Sequence, residues 1–198
     1  MHGLINSTLQ RFLRDTYGEA LWADVCRSAA IETGGFEAML FYEDRLTLDV
    51  LAAAALHLDK PRSAVLEDVG TYLVSHPSNA AVRRLLRFSG ITFVDFVHSL
   101  DELPERTRLA VADLDLPEIT LFELEENNFS LEVATYPAPV GAGFGHVLMG
   151  LLRAMADDYG ALALLDHQGV FEMRERITLQ VVETAFADGR DFALGAAG

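Results

Sequence analysis

A single cysteine, Cys26, stands among 198 residues, which removes internal disulfides and any multi-cysteine zinc or iron–sulfur centre. Positive charge is scarce as well: 15 Lys+Arg face 30 Asp+Glu, a formal net charge of −15. Phosphate-backbone binding needs a basic footprint, so nucleic acid is excluded as a partner. Long hydrophobic runs are missing. The richest stretch, around Val50 to Leu58, is flanked by Asp49 and Asp59 and falls well short of the ~18–20 apolar residues of a membrane span. Met1-His2-Gly3-Leu4 runs directly into an Arg-bearing amphipathic pattern, unlike a secretory signal. These absences leave a cytoplasmic, acidic, globular protein with no membrane attachment.

What is present is enough apolar material for a core. The chain is 51% hydrophobic with a mean hydropathy of +0.20, which excludes intrinsic disorder, and its length fits one domain. The first ~110 residues carry helical periodicity. Ile5, Leu9, Phe12 and Leu13 recur on one face before Tyr17-Gly18, and Leu21, Trp22, Val25 and Ala29 repeat the pattern. Thr47 to Leu58 predicts a helix ended by Lys60-Pro61, and Val65, Leu66, Val69 and Leu73 mark the next one. Beyond Pro117 the period changes to near alternation over 118–125 and 130–136, with Glu126-Asn127-Asn128 as the turn, which predicts an antiparallel hairpin. A helix follows within 141–159, then strands near 162–165 and 177–182. The expected class is α+β in one domain, with a helical lobe of about residues 1–60 and a larger α+β lobe of about residues 61–190.

Catalytic signatures are absent. Gly141-Ala142-Gly143-Phe144-Gly145 lacks the Lys-Ser/Thr of a phosphate loop and the spacing of a dinucleotide fingerprint, so it reads as a turn into a helix. Glu125/Glu126 and Asp157/Asp158 are neighbours in sequence rather than convergent pairs. Cys26 falls on an amphipathic helix and reads as a small core hydrophobe. Nothing here points to an enzyme, and no metal site is expected.

Several strings stand out in order along the chain: Met1-His2-Gly3-Leu4-Ile5-Asn6, Asp15 to Trp22, Leu48 to Ala54, Phe96-Val97-His98-Ser99-Leu100-Asp101-Glu102-Leu103, Pro117, and Gly150-Leu151-Leu152. Together with the order of elements, they resemble the haem nitric-oxide/oxygen binding (H-NOX, or HNOB) family, the gas-sensor domain that also begins soluble guanylate cyclase subunits. The resemblance covers almost the whole chain and implies the H-NOX fold. It also implies two haem-binding features: a histidine directly after the Leu-Asp-x-Leu string, and a Tyr-x-Ser-x-Arg motif that holds the propionates. The first position is Pro104, which has no coordinating atom. The second reads Tyr136-Pro137-Ala138-Pro139-Val140, so at Tyr136, Ala138 and Val140 only the tyrosine matches. Arginine's fixed fork binds a carboxylate through two parallel hydrogen bonds, and valine cannot.

Helical geometry tests whether another histidine substitutes. At about 100° per residue from Phe93, positions 96, 97, 100 and 103 span an arc of roughly 280° to 40°, and position 104 falls near 20°. Pro104 therefore occupies the inward face, while His98 falls near 140°, on the opposite one. His146 begins the helix on the pocket's far side, with Val147 as the inward neighbour. His2, His57, His76 and His167 sit at termini or element ends and are expected at the surface, His2 near the pocket rim. Pro104 inside a helix would cost ~3 kcal/mol or more, so one helix should end near Leu103 and another start with Pro104 in its first turn. Pro137 and Pro139 should end the second strand at Tyr136 or confine it to an edge.

The resemblance thus implies a stand-alone, haem-free H-NOX-like regulatory protein with no cofactor. It would act in trans on a protein partner of the cyclase, cyclic-dinucleotide-enzyme or histidine-kinase type, since the chain ends at Gly198 without an output domain; a homodimer is compatible. The alternative is a haem or other apolar-ligand sensor with unusual ligation. Its pocket would be lined by Ile5, Leu9, Leu73, Leu100, Leu103, Pro117, Val147 and Leu151. An enclosed cavity near Pro104 and Tyr136 favours that alternative; filling by Phe12 or Phe96 disfavours it.

Overall fold

A computed structural model describes residues 1–31, 35–135 and 143–191. Helices α1 (Gly3–Tyr17), α2 (Glu19–Ser28), α3 (Asp44–Leu58) and α4 (Arg62–Ser75) come first. A short 3-10 turn, Pro77–Asn79, leads into α5 (Ala80–Arg87), α6 (Phe93–His98) and α7 (Leu103–Ala110). Strands β1 (Ile119–Glu125) and β2 (Asn128–Ala134) precede α8 (Phe144–Tyr159), and β3 (Leu162–Phe171) and β4 (Arg174–Glu183) close the described chain. The class is α+β, with one antiparallel sheet in the order β1-β2-β4-β3.

The boundaries follow local chemistry. Gly18, at φ 88°, separates α1 from α2, because the left-handed region costs glycine nothing. Pro61 stands just before α4, where its missing N–H is harmless. Thr92 and Asp95 form a reciprocal capping box at the start of α6. Asn127, at φ 62°, turns β1 into β2.

Buried side chains form two clusters. Leu9, Phe12, Trp22, Val50 and Val65 belong to one, built by α1 to α4. Phe96, Leu100, Leu131, Leu152 and Ile177 belong to the other, which joins α6 and α8 to one face of the sheet. Helix α4 contributes to both, through Val69 and Val74 respectively. It crosses α8 closely at Gly70 and Gly150, where only the absence of a Cβ lets the backbones meet.

Several expectations need correcting. Helix α6 ends at His98, five residues before Leu103. Strand β2 ends at Ala134 and is internal to the sheet, between β1 and β4. Strands β3 and β4 extend to 162–171 and 174–183, longer than their apolar runs, because cross-strand bonding carries polar residues along with them. Among the described residues, no helix is long and apolar enough to cross a membrane.

Candidate functional site

The segment around Pro104 is a broken helix rather than a continuous one. Had α6 continued, the Leu100 carbonyl would await an N–H from position 104, which proline lacks. Instead that carbonyl accepts from Leu103 N–H at 3.2 Å, and Leu100 N–H donates to Val97 at 3.2 Å, tightening the chain into three-residue turns. Pro104 then sits, buried, in the first turn of α7. Arg106 stabilises the break: its guanidinium donates to the Ser99 carbonyl at 2.9 Å and also to Ser89 Oγ. Burial pushes the Arg106 pKa down, countered by the nearby Glu102 and Asp101.

Side chains expected around a pocket fall into two groups. Leu9, Leu100, Leu103 and Leu151 expose only 6%, 0%, 4% and 7% of their surface. Residues lining an empty cavity large enough for a cofactor would retain accessible surface, so these four are already covered by protein. Pro117 is buried too, whereas Ile5, Leu73 and Val147 are half-buried. Phe12 and Phe96 are at most 1% exposed; Phe12 packs against Tyr72 and Phe96 against Phe93 and Tyr159. Two open concavities, of about 540 and 330 Å³, lie along the sheet, near Phe122 and Arg176 and near Leu164 and Gln180. Neither includes a residue of α6, α7 or α8. Tyr136, Ala138 and Val140 lie outside the described residues.

The haem-NO-binding family model (HNOB) matches residues 2–163 of this chain. The chain belongs to that family.

Its relatives among curated proteins include soluble guanylate cyclase 89Da of Drosophila melanogaster, 22% identical over 83% of this chain and 24% of that protein. Soluble guanylate cyclase gcy-31 of Caenorhabditis elegans is 22% identical over 80% of this chain and 22% of its own length. The chain therefore spans about a quarter of these cyclases, and the family match is to the sensor domain. Among solved structures, the Fe(II) unliganded H-NOX protein from K. algicida superposes with a TM-score of 0.77 at 14% identity, covering 95% of this chain and all of that one. An H-NOX protein from S. oneidensis in the Fe(II)NO ligation state gives a TM-score of 0.73 at 16% identity, covering 91% of this chain and 99% of that one. The fold is H-NOX.

Parts of the strings that suggested the haem-NO-binding family have direct physical roles. Gly3 lies so close to the Glu37 carbonyl that a Cβ would approach it to 2.1 Å. Asn6, buried at 1% exposure, accepts from Thr47 Oγ1 at 2.6 Å and so ties α1 to α3. Cys26 is fully buried, and that burial pushes its thiol pKa up, as suits a core residue.

A haem iron needs an axial lone pair. The inward residues of the α6–α7 segment, Leu100, Leu103 and Pro104, supply none, so these residues do not fit that role. His98 is exposed, lying 3.8 Å from Glu123 and edge-on to Phe129. His2 is not at the surface: it is buried, its Nδ1 accepts from Leu4 N–H at 3.1 Å, and its ring meets Phe41. His57 is exposed and bonded to Ser28, while His76 stacks on Tyr72.

His167 also departs from expectation, being mostly buried and bonded through Nε2 to Glu175 Oε2 at 2.8 Å. His146 stacks on it, with ring centroids 4.1 Å apart. The Gly141–Gly145 string hid a further role: Gly143 and Gly145 N–H donate to Glu175 Oε1 at 2.8 and 3.0 Å. Strand periodicity alone places His167 and Glu175 on one face, but only the β3–β4 register reveals that they meet. Asp158, which the sequence marks only as one of two adjacent acids, is fully buried and bonded to Arg83 at 2.7 Å.

Proposed function

We propose that this haem-NO-binding domain works without haem, as a regulatory module that acts on a protein partner. The observation that supports it is the coverage of Leu9, Leu100, Leu103 and Leu151 at 7% exposure or less, beside a buried proline at the ligand position. A domain built to receive a porphyrin from solvent keeps such side chains lining a void; here they contact protein. The loss of arginine at Val140 removes the bidentate clamp for a propionate.

The partner belongs to the signalling classes that the family controls: a cyclase, a cyclic-dinucleotide enzyme or a histidine kinase, engaged in trans from the cytoplasm. Catalysis rests with that partner. A net charge of −15 favours docking onto a basic patch through electrostatic steering. A second reading, an apolar small-molecule sensor with non-standard ligation, is favoured only by the half-buried Ile5, Leu73 and Val147.

The haem content of protein purified from cells supplied with a haem precursor tests the first reading. Substoichiometric haem, with no Soret band scaling with protein, is expected. Near-stoichiometric haem supports the sensor reading instead.

A further inference from the structure

Outside the α6–α7 segment, three residues that can ligate metal converge: His146 on α8, His167 on β3 and Glu175 on β4. One donor atom from each lies within 4.8 Å of the others. We infer that this trio is a binding site for a divalent cation of the zinc class, with two imidazoles and one carboxylate as ligands. It stands apart from the haem-free reading and does not depend on it.

Each donor is positioned by a neighbour, as metal ligands commonly are. Glu175 is buried, and its Oε1 is held by the N–H groups of Gly143 and Gly145, which leaves Oε2 turned toward His167. The positive end of α8 is thereby satisfied by Oε1. His146 Nδ1 lies 3.2 Å from Glu67 Oε1, and Arg153 holds the other oxygen of Glu67. With Nδ1–H donating to Glu67, the His146 Nε2 lone pair is free to bind metal, the carboxylate–histidine arrangement of many zinc sites. Space is provided as well: a Cβ on Gly145 would lie 2.6 Å from Glu175 Oε2 and 3.1 Å from His167 Nε2.

The donors are near enough for one ion but not yet aimed at it: the His146 and His167 rings stack at 14°, so one ring must turn about its Cβ–Cγ bond for both lone pairs to meet the ion. Tetrahedral zinc, with bonds of about 2.0–2.2 Å, spreads its ligand atoms to roughly 3.3 Å. His167 Nε2 and Glu175 Oε2 are 2.8 Å apart, the distance expected when a proton occupies the place of the ion. On binding, that proton leaves Nε2 and the neutral ring carries it on Nδ1. Gly169 N–H, now 3.2 Å from Nδ1, must turn aside. Gly169 can do so, since it lies at a register shift in β3 with nothing within 4 Å of its Cβ position. Three protein ligands leave a fourth position for water, and side-chain exposures of 22% and 14% for His146 and His167 open it to solvent. Imidazole with one carboxylate selects zinc-like ions over calcium or magnesium. Bound there, the ion ties the β3–β4 hairpin to α8 and, through Glu67, to α4.

Chelator-treated full-length protein is titrated with Zn²⁺ by calorimetry and with Co²⁺ by visible absorption. One equivalent of Zn²⁺ and a four-coordinate Co²⁺ spectrum are expected, both lost in His146→Ala and in His167→Ala. Glu67→Gln should weaken Zn²⁺ about 10–100-fold. Circular dichroism checks that each variant folds; should His167→Ala fail to, His146→Ala and Glu67→Gln decide. No saturable binding overturns the proposal. So does binding that survives in the folded variants, because the ion then sits on other histidines such as His57, His76 or His98.

Discussion

Gly70 of α4 rests against the main-chain carbonyl of Val147 on α8, so closely that a Cβ would lie 2.0 Å from that oxygen. One turn along α8, a Cβ on Gly150 would lie 1.8 Å from the Glu67 carbonyl. Both obstacles are backbone, which cannot rotate away as a side chain would. Gly70→Ala or Gly150→Ala must push the helices apart. The expected cost is about 2–3 kcal/mol, even after the roughly 1 kcal/mol that alanine gains over glycine inside a helix. That corresponds to a Tm lower by roughly 4–12 °C, which a thermal melt reads directly.

Asp158 has no exposed side-chain surface, and its carboxylate faces Arg83 at 2.7 Å and Arg87 at 3.6 Å. Arg87 also lies 3.8 Å over the Tyr159 ring. Asp158→Asn removes the buried countercharge that both guanidiniums share. A loss of about 3–5 kcal/mol is expected from urea denaturation, against less than about 1 kcal/mol for exposed pairs such as Arg45–Asp49.

Tyr72 and Tyr159 have phenol pKa values raised above the ordinary value of about 10, in both cases first by burial. The Asp15 carboxylate, which accepts from Tyr72 Oη at 2.6 Å, adds to the shift at Tyr72; Arg87 opposes it at Tyr159. A raised folded-state pKa contributes stability that is full below the unfolded value and is lost as pH climbs through the folded one. Stability should therefore fall above about pH 10, and Tyr72→Phe with Tyr159→Phe should flatten that decline. Denaturation midpoints at neutral and at alkaline pH check it, and absorbance should show these phenolates appearing late.

Thr92 caps α6 by accepting from Asp95 N–H at 3.1 Å, while the Asp95 carboxylate accepts from Thr92 N–H at 2.9 Å. Those hydrogen bonds hold the Asp95 pKa below its usual value. Its contribution is present above the ordinary carboxylate range and is lost as pH falls through the lowered value. Thr92→Ala should cost about 0.5–2 kcal/mol by chemical denaturation and remove part of the acid-side loss.

Much of this molecule was legible from period and punctuation. The helical faces of 1–110, the α8 face and the 119–134 hairpin all followed from apolar spacing and turn residues. The β3–β4 hairpin was longer than read because its turn, Glu172-Met173, takes positive φ at both residues without the Asn or Gly that usually signals it. The early end of α6 escaped because proline's effect reaches back to the carbonyl four residues before it, and the Arg106 bonds that compensate are tertiary. At Pro104, the sequence already showed a side chain with no lone pair to offer, and the structure places it buried in the first turn of α7. The meeting of His146, His167 and Glu175 was not, since it depends on strand register and on how α8 docks against the sheet.

Haemin titration of the purified protein, followed by absorption spectroscopy and gel filtration, tests the haem-free reading most directly. On the proposed reading, in which Pro104 stands where the axial ligand would, and with Leu100 and Leu103 covered, no saturable Soret band should form up to one haem per chain. A Soret band that saturates near one haem per chain, and stays with the protein through gel filtration, would contradict it.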